Sequence, residues 1–198
     1  MGRTSEFDSA SKRVGFLLKK YPSLRSNDTK LWLSYLVMYH SLPASLKSKS
    51  PCTSFCTLVL DENVPCIATI RRSRQRLQQG GAYPKEAKIE RRRTSLAHVN
   101  KQIGYHINER VRYLLDIYKP LRDDDKKLWI SYLITFHNLE KINDCDDPYE
   151  TLCSIILDGS SPIMETVRRC RQAFQQKGLY LGDKISRSEN SQSVNAEL

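Results

Sequence analysis

Arg71, Arg72, Gln75, Gln78 and Gln79 lie within nine consecutive residues. At 100° per residue they occupy about a third of a helix circumference. A guanidinium can grip phosphate or pair bidentately with guanine, and a glutamine amide can do the same with adenine, so this face suits a DNA major groove. The same five residues recur 97 positions later as Arg168, Arg169, Gln172, Gln175 and Gln176, and the face is read as free of acidic residues. The competing reading is a solvated helix exterior, which is what most charged runs on helices are.

The recurrence belongs to a duplication. Residues 13–83 match 110–180 at a constant offset of 97 with no gap, and about 30 of the 71 positions are identical. Lys30-Leu31-Trp32-Leu33-Ser34-Tyr35-Leu36 returns as Lys127-Leu128-Trp129-Ile130-Ser131-Tyr132-Leu133. A fixed period of this kind marks a repeated structural unit. The loop 43–53 shares only Pro51 with its counterpart and has turned from Lys-rich to Asp-rich. Exterior positions have thus drifted while the arginines and glutamines stayed, which favours a role for them over a passive surface.

The elements that must position this face are helical. Val14, Leu17, Leu18 and Tyr21, answered by Val111, Leu114, Leu115 and Tyr118, form the i, i+3, i+4, i+7 stripe of a half-buried first helix. A second helix, with Asp28 or Asp125 as N-cap, runs to His40 or His137 and carries Trp32 or Trp129 as core. A third begins at Ser50-Pro51 or Asp147-Pro148 and ends at Asp61 or Asp158. After a turn of three or four residues, Pro65 or Pro162 starts the fourth, which stops at Gly81 or Gly178. Helix, short turn, helix is the helix-turn-helix arrangement. The fold class is therefore all-α: two tandem copies of a four-helix unit, each with a helix-turn-helix at its C-terminal end. The domain reading is a disordered N-terminus over 1–10, repeats at 11–83 and 108–183, a basic linker at 84–107 and a disordered tail over 184–198.

In the fourth helix, Cys66, Ile70 and Leu77, with Ile67 at the margin, form the inward stripe, repeated by Ile163, Val167, Cys170 and Phe174. Arg74 and Arg171 fall beside that stripe and read as structural, with Asp61 and Asp158 as carboxylate partners across the turn. His40 and His137 are expected to face the last carbonyls of the second helix.

Charge bears on the partner. The net charge is +10, but residues 1–100 hold 18 basic against 7 acidic residues, whereas 101–198 hold 14 against 15. A one-sided excess attracts a polyanion, so the two copies should not bind one equally. Lys85, Lys88, Arg91, Arg92 and Arg93 in the linker are either a basic arm on DNA or a solvated connector. The acidic loop Asp144 to Glu150 gives the second copy a surface for a basic protein partner.

Other chemistry is thin. Six cysteines are present, of which only Cys56 and Cys153 are equivalent, and Cys52 with Cys56 lacks a second pair or a histidine to complete a zinc set. No phosphate loop or nucleophile motif is present, so neither an enzyme nor a cofactor is predicted. No apolar run approaches a membrane span, which predicts a cytoplasmic protein.

The stretch Asp28 through Lys30-Leu31-Trp32 to Tyr35, followed by Arg-Arg-x-Arg-Gln-x-x-Gln-Gln at 71–79, resembles small, mostly uncharacterised helical proteins of bacteriophages and prophages. In those a Leu-Trp-Leu helix precedes a helix of helix-turn-helix appearance. The resemblance covers both repeats, and this chain departs from it in carrying two units. It implies DNA binding or regulation in a mobile element. The function expected is a regulatory protein that binds double-stranded DNA as a pseudo-dimer within one monomer. The rivals are a protein-interaction module, an inhibitor or adaptor using the same face, and RNA binding.

Overall fold

The first helix of each copy ends where its apolar stripe ends, and a short 3₁₀ turn then redirects the chain. The structure is a computed structural model that describes residues 3–84, 96–158 and 161–182, with side chains from Ala10 in the first helix and from His106 in the sixth. Among the described residues it is all-helical: α1 (Arg3–Lys20), α2 (Asp28–Tyr39), α3 (Leu42–Ser45), α4 (Pro51–Leu60), α5 (Ile67–Gln79), α6 (Leu96–Ile117), α7 (Asp125–His137), α8 (Pro148–Leu157) and α9 (Met164–Gln176). The 3₁₀ turns are Pro22–Ser26, Lys119–Arg122 and Leu139–Asn143.

Several boundaries differ from the periodicity. Helix α1 begins at Arg3, within the stretch 1–10 that lacks an apolar stripe and reads from the sequence as a disordered N-terminus. Helix α6 begins at Leu96, inside the stretch read as linker. Lys85, Lys88, Arg91, Arg92 and Arg93, and the tail from 184, lie outside the described residues. Tyr21 and Tyr118 follow the last helical residue and are exposed, at 39% and 53%, instead of completing the buried stripe. The short α3, and the 3₁₀ turn Leu139–Asn143 at the corresponding place, add an element that the four-helix reading missed. Leu42 and Leu46 are buried there, as are Leu139 and Ile142, too few apolar positions to register as a period.

The N-caps lie one residue before the expected ones. Asn27 Oδ1 accepts from Lys30 N at 2.9 Å to start α2, and Asp124 Oδ1 accepts from Lys126 N and Lys127 N at 3.0 Å to start α7. Two adjacent residues in each copy could cap, and using the first leaves the carboxylates of Asp28 and Asp125 for other partners. Helix α8 is capped by Asp147, which accepts from Glu150 N at 2.8 Å.

The turn before α5 is longer than the sequence suggests. Cys66 is still extended (φ −69°, ψ 160°), as is Ile163 before α9 (φ −68°, ψ 152°). Pro65 and Pro162 therefore precede the N-cap instead of opening the helix. Their carbonyls accept the indole N–H of Trp32 and Trp129, each at 3.0 Å. This bond ties the start of α5 to α2, and that of α9 to α7, and satisfies a polar atom on a side chain buried to 1% or 3% exposure. At the other end Gly81 and Gly178 take positive φ (80° and 74°), and Ala82 N→Leu77 O and Leu179 N→Phe174 O close the helices at 3.0 Å.

The described residues group into two compact units, one drawn from 1–94 and 139–161, the other from 95–138 and 162–198. In the first, α5 packs on α1 and α2, α3 bridges α2 and α4, and the turn Leu139–Asn143 packs on α4 and α8. Cys52 N donates to Asn143 Oδ1 at 2.9 Å within that unit. Its core holds Val14, Leu17, Leu18, Leu31, Trp32, Tyr35, Leu36, Phe55 and Ile70. In the second unit α9 packs on α6 and α7 around Val111, Leu114, Leu115, Leu128, Trp129, Tyr132, Leu133 and Val167. Complete burial of such side chains contributes about 1.5–3 kcal/mol each. No described helix is long and apolar enough to cross a membrane.

Candidate nucleic-acid interface

Helix α5 reads Ile-Ala-Thr-Ile-Arg-Arg-Ser-Arg-Gln-Arg-Leu-Gln-Gln, with four arginines and no carboxylate. Burial of Ile67, Ile70 and Ser73 fixes its rotation, because those residues face α1 and α2. The arginines then divide into an inward one and an outward set.

Arg74 is the inward one, only 5% exposed. Its Nε donates to Asp28 Oδ1 at 2.7 Å, and its Nη1 donates to the Arg25 carbonyl at 2.9 Å and to Gln78 Oε1 at 2.7 Å. Gln78 Nε2 donates to the same Arg25 carbonyl at 3.0 Å. Arg25 in turn donates from Nε to the Leu18 carbonyl at 3.1 Å and lies over the Tyr83 ring at 5.7 Å. The second copy rebuilds the knot from the equivalent residues, with Gln175 Nε2 also donating to the Tyr180 carbonyl at 3.1 Å. Arg171 donates to Asp125 at 2.9 Å, to the Arg122 carbonyl and to Gln175 Oε1 at 3.0 Å, while Gln175 Nε2 reaches the Arg122 carbonyl at 2.9 Å. Arg122 Nη2 donates to the Leu115 carbonyl at 3.0 Å, and its guanidinium lies over Tyr180 at 5.3 Å.

Two expectations change here. The carboxylate partners of Arg74 and Arg171 are Asp28 and Asp125, not Asp61 and Asp158. Asp61 at the end of α4 accepts from Asn63 N (2.9 Å) and Asn63 Nδ2 (3.1 Å) in a local turn. Asp28 is available because Asn27 has taken the capping role. Gln78 and Gln175, read as groove contacts, have both ends of their amides engaged in the knot. A buried guanidinium needs acceptors around its whole rim, and a glutamine one turn away supplies one. The signal was present in the sequence: Arg25, Asp28 and Tyr83 recur at the same offset as Arg122, Asp125 and Tyr180.

The outward set comprises Arg71, Arg72, Gln75 and Gln79, with Arg76 beside them. Arg72, Arg76 and Gln79 are exposed, and Arg71 and Gln75 partly so. Among the described residues the side chains of Arg72, Gln75 and Gln79 have no hydrogen-bond or ionic partner, and Arg71 has only a loose approach to Asp28 at 3.8 Å. Helical geometry places Ala68 at the middle of this face.

The equivalent face on α9 is not acid-free. Position 165, in the turn before Arg168, carries glutamate where the first copy has Ala68. Glu165 accepts from Arg168 Nε and Nη2, both at 2.8 Å, and from Arg169 Nε at 3.1 Å. Hydrogen bonding from Arg168, and then from Arg169, holds its carboxyl below the usual carboxylate range against the opposing effect of burial. Gln172 is partly exposed and Gln176 exposed; the counterpart of Arg76 is Ala173.

The remaining polar residues serve packing. The His40 imidazole lies against Tyr35 with centroids 5.6 Å apart and makes no hydrogen bond to the helix carbonyls it was expected to face; burial, and then the nearby Arg13, lower its pKa. His137 stacks on Tyr132 at 5.6 Å. Burial pushes the Cys56 thiol up to about 12 and raises those of Cys52, Cys153 and Cys170, so these cysteines stay protonated. No group of three or more metal-binding side chains converges among the described residues.

Comparison with protein-family models, curated proteins and solved structures finds no match to this chain.

Proposed function

We propose that this protein binds double-stranded DNA in a regulatory role, with α5 as the groove-facing helix. The observation that carries the reading is the outward side of α5, where Arg71, Arg72, Gln75 and Gln79 surround Ala68 with no carboxylate on the helix. Solvated helices usually intersperse both signs of charge, and a face of one sign is an electrostatic footprint for phosphate. In this reading α4, the turn 61–66 and α5 act as a helix-turn-helix, Arg71 and Arg72 take phosphate or guanine, and Gln75 and Gln79 read base edges. The second copy acts as the weaker half of an intrachain pseudo-dimer.

The test is binding to a random-sequence duplex by fluorescence anisotropy across a salt series, beside an Arg71→Ala/Arg72→Ala variant shown by circular dichroism to be folded. Salt-steep binding is expected, with the variant's log-log slope smaller by about 2, since each phosphate contact contributes about 0.9. Absence of binding at low salt, or an unchanged slope in the variant, would sink the proposal. Stronger binding to an RNA duplex or single strand would move the assignment to RNA.

One observation favours a protein partner for the second copy. Asp144, Asp146 and Asp147 on the loop before α8 and Glu150 in its first turn are all exposed, where the first copy has Lys47, Lys49, Ser50 and Thr53. A nuclease-resistant complex with a basic protein, lost on charge reversal of this loop, would support an adaptor role.

A further inference from the structure

The two copies differ at the centre of the same face by one side chain, Ala68 against Glu165, and this changes what the neighbouring arginines can do. Among the described residues Arg71 and Arg72 have no hydrogen-bond or ionic partner closer than the loose 3.8 Å approach of Arg71 to Asp28. Arg168 and Arg169 close on Glu165, which receives both Arg168 nitrogens at 2.8 Å and Arg169 Nε at 3.1 Å. The bidentate pair formed by Arg168 is the geometry in which a guanidinium would otherwise hold a phosphate. Glu165 is itself well covered, with its side chain 13% exposed, so its interaction with the arginines is screened less than at an open surface.

We infer that Glu165 occupies the phosphate-binding position of the second copy from within, and that the residue at position 68 or 165 determines which copy engages DNA. This rests on the reading of α5 as a DNA-binding helix and extends it to a specificity-determining residue. Glu165 acts as a positioning residue: it holds Arg168 through both carboxylate oxygens and Arg169 through Oε1. With alanine there, as in the first copy, neither guanidinium has that carboxylate to bind, and both can turn to phosphodiester oxygens. Hydrogen bonding from Arg168 lowers the pKa of Glu165, which keeps it ionised throughout the neutral range, so the closure does not depend on protonation near physiological pH.

The experiment uses the full chain and one fluorescent DNA duplex in a salt series. Five proteins are compared: the parent, Glu165→Ala, Glu165→Ala/Arg168→Ala/Arg169→Ala, Ala68→Glu, and Glu109→Ala as a charge-matched control on the exposed side of α6. Glu165→Ala is expected to bind about tenfold more tightly than the control and to steepen the log-log slope by 1–2, the contribution of about two added phosphate contacts. The triple variant should return to the parent value. Ala68→Glu should weaken binding about tenfold and flatten the slope by a similar amount. Thermal melts establish that each variant is folded, and the control separates local release of arginines from the general effect of one lost negative charge.

If the parent binds and Glu165→Ala behaves like Glu109→Ala, this inference is overturned while the reading of α5 stands. Should Glu165→Ala bind and the parent not, the inference holds and the assignment of the first copy fails. Binding by none of the five overturns both.

Discussion

Apart from Arg76, whose counterpart is Ala173, helices α5 and α9 hold the same arginines and glutamines at equivalent places, yet they present different electrostatic surfaces. What they share is the inward chemistry. Asp28, Arg74, Gln78 and the Arg25 carbonyl are repeated as Asp125, Arg171, Gln175 and the Arg122 carbonyl, and both indoles reach a proline carbonyl at 3.0 Å. Where they part is outward, where Glu165 draws in two arginines that the first copy leaves projecting. Retention of a residue in both copies thus reflects two causes. Arg74 and Gln78 are held by a geometric requirement of packing, whereas Arg71, with only its loose approach to Asp28, and Arg72 are under no such requirement, and the proposed DNA contact would account for them.

The comparison can be broken most directly at the knot. Arg74→Ala and Arg171→Ala should each destabilise their own unit by about 3 kcal/mol, because removing the guanidinium leaves a carboxylate, a backbone carbonyl and an amide without their shared donor. Denaturant melts read by the fluorescence of Trp32 and Trp129 would check this. A large loss from one substitution and none from the other would show that the knots are not equivalent. On the outward side, Arg71→Ala/Arg72→Ala should reduce DNA affinity about 100-fold in low salt, and Arg168→Ala/Arg169→Ala by no more than about threefold. Equal losses measured by anisotropy would remove the functional distinction between the copies.

Smaller effects sharpen the picture further. Trp32→Phe and Trp129→Phe leave the proline carbonyl unpaired and should cost about 1–2 kcal/mol each, seen as matched shifts in the denaturation midpoint. His40 provides a pH signature of the first unit. Burial and Arg13 lower its pKa from the ordinary 6.5, so the unfolded chain binds the proton more readily and stability contributed by the neutral imidazole is lost as pH falls below about 6.5. His40→Asn should flatten that part of the stability profile; an unchanged slope would show that another group sets it.

The helical class and the arginine-glutamine face were legible because both rest on periodicity, and a period survives without knowledge of what lies opposite. The partners of Arg74 were not. Angle alone placed it beside the apolar stripe, but Asp61 is near in sequence and Asp28 near in space, and one-dimensional proximity selected the wrong carboxylate. The same limit explains the displaced N-caps, since Asn27 and Asp28 are equally able to cap and only the demand from Arg74 decides between them. Gln78 was placed outward because its angle is marginal, and the attraction of a buried guanidinium one turn earlier draws it in. Glu165 was overlooked for a simpler reason: attention to the residues common to both copies passes over the position where they differ.

The first compact unit takes residues 139–161 as well as 1–94. On the ribosome the chain emerges from its N-terminus at about 5–20 residues per second, so α1 to α5 are exposed for several seconds before their last structural component is made. The buried Leu139 and Ile142, in the turn that packs on α4, are among the late arrivals. Native assembly of the earlier half therefore waits on the synthesis of the later one, and a nascent chain stalled near residue 100 would display the α4 surface that this turn later covers.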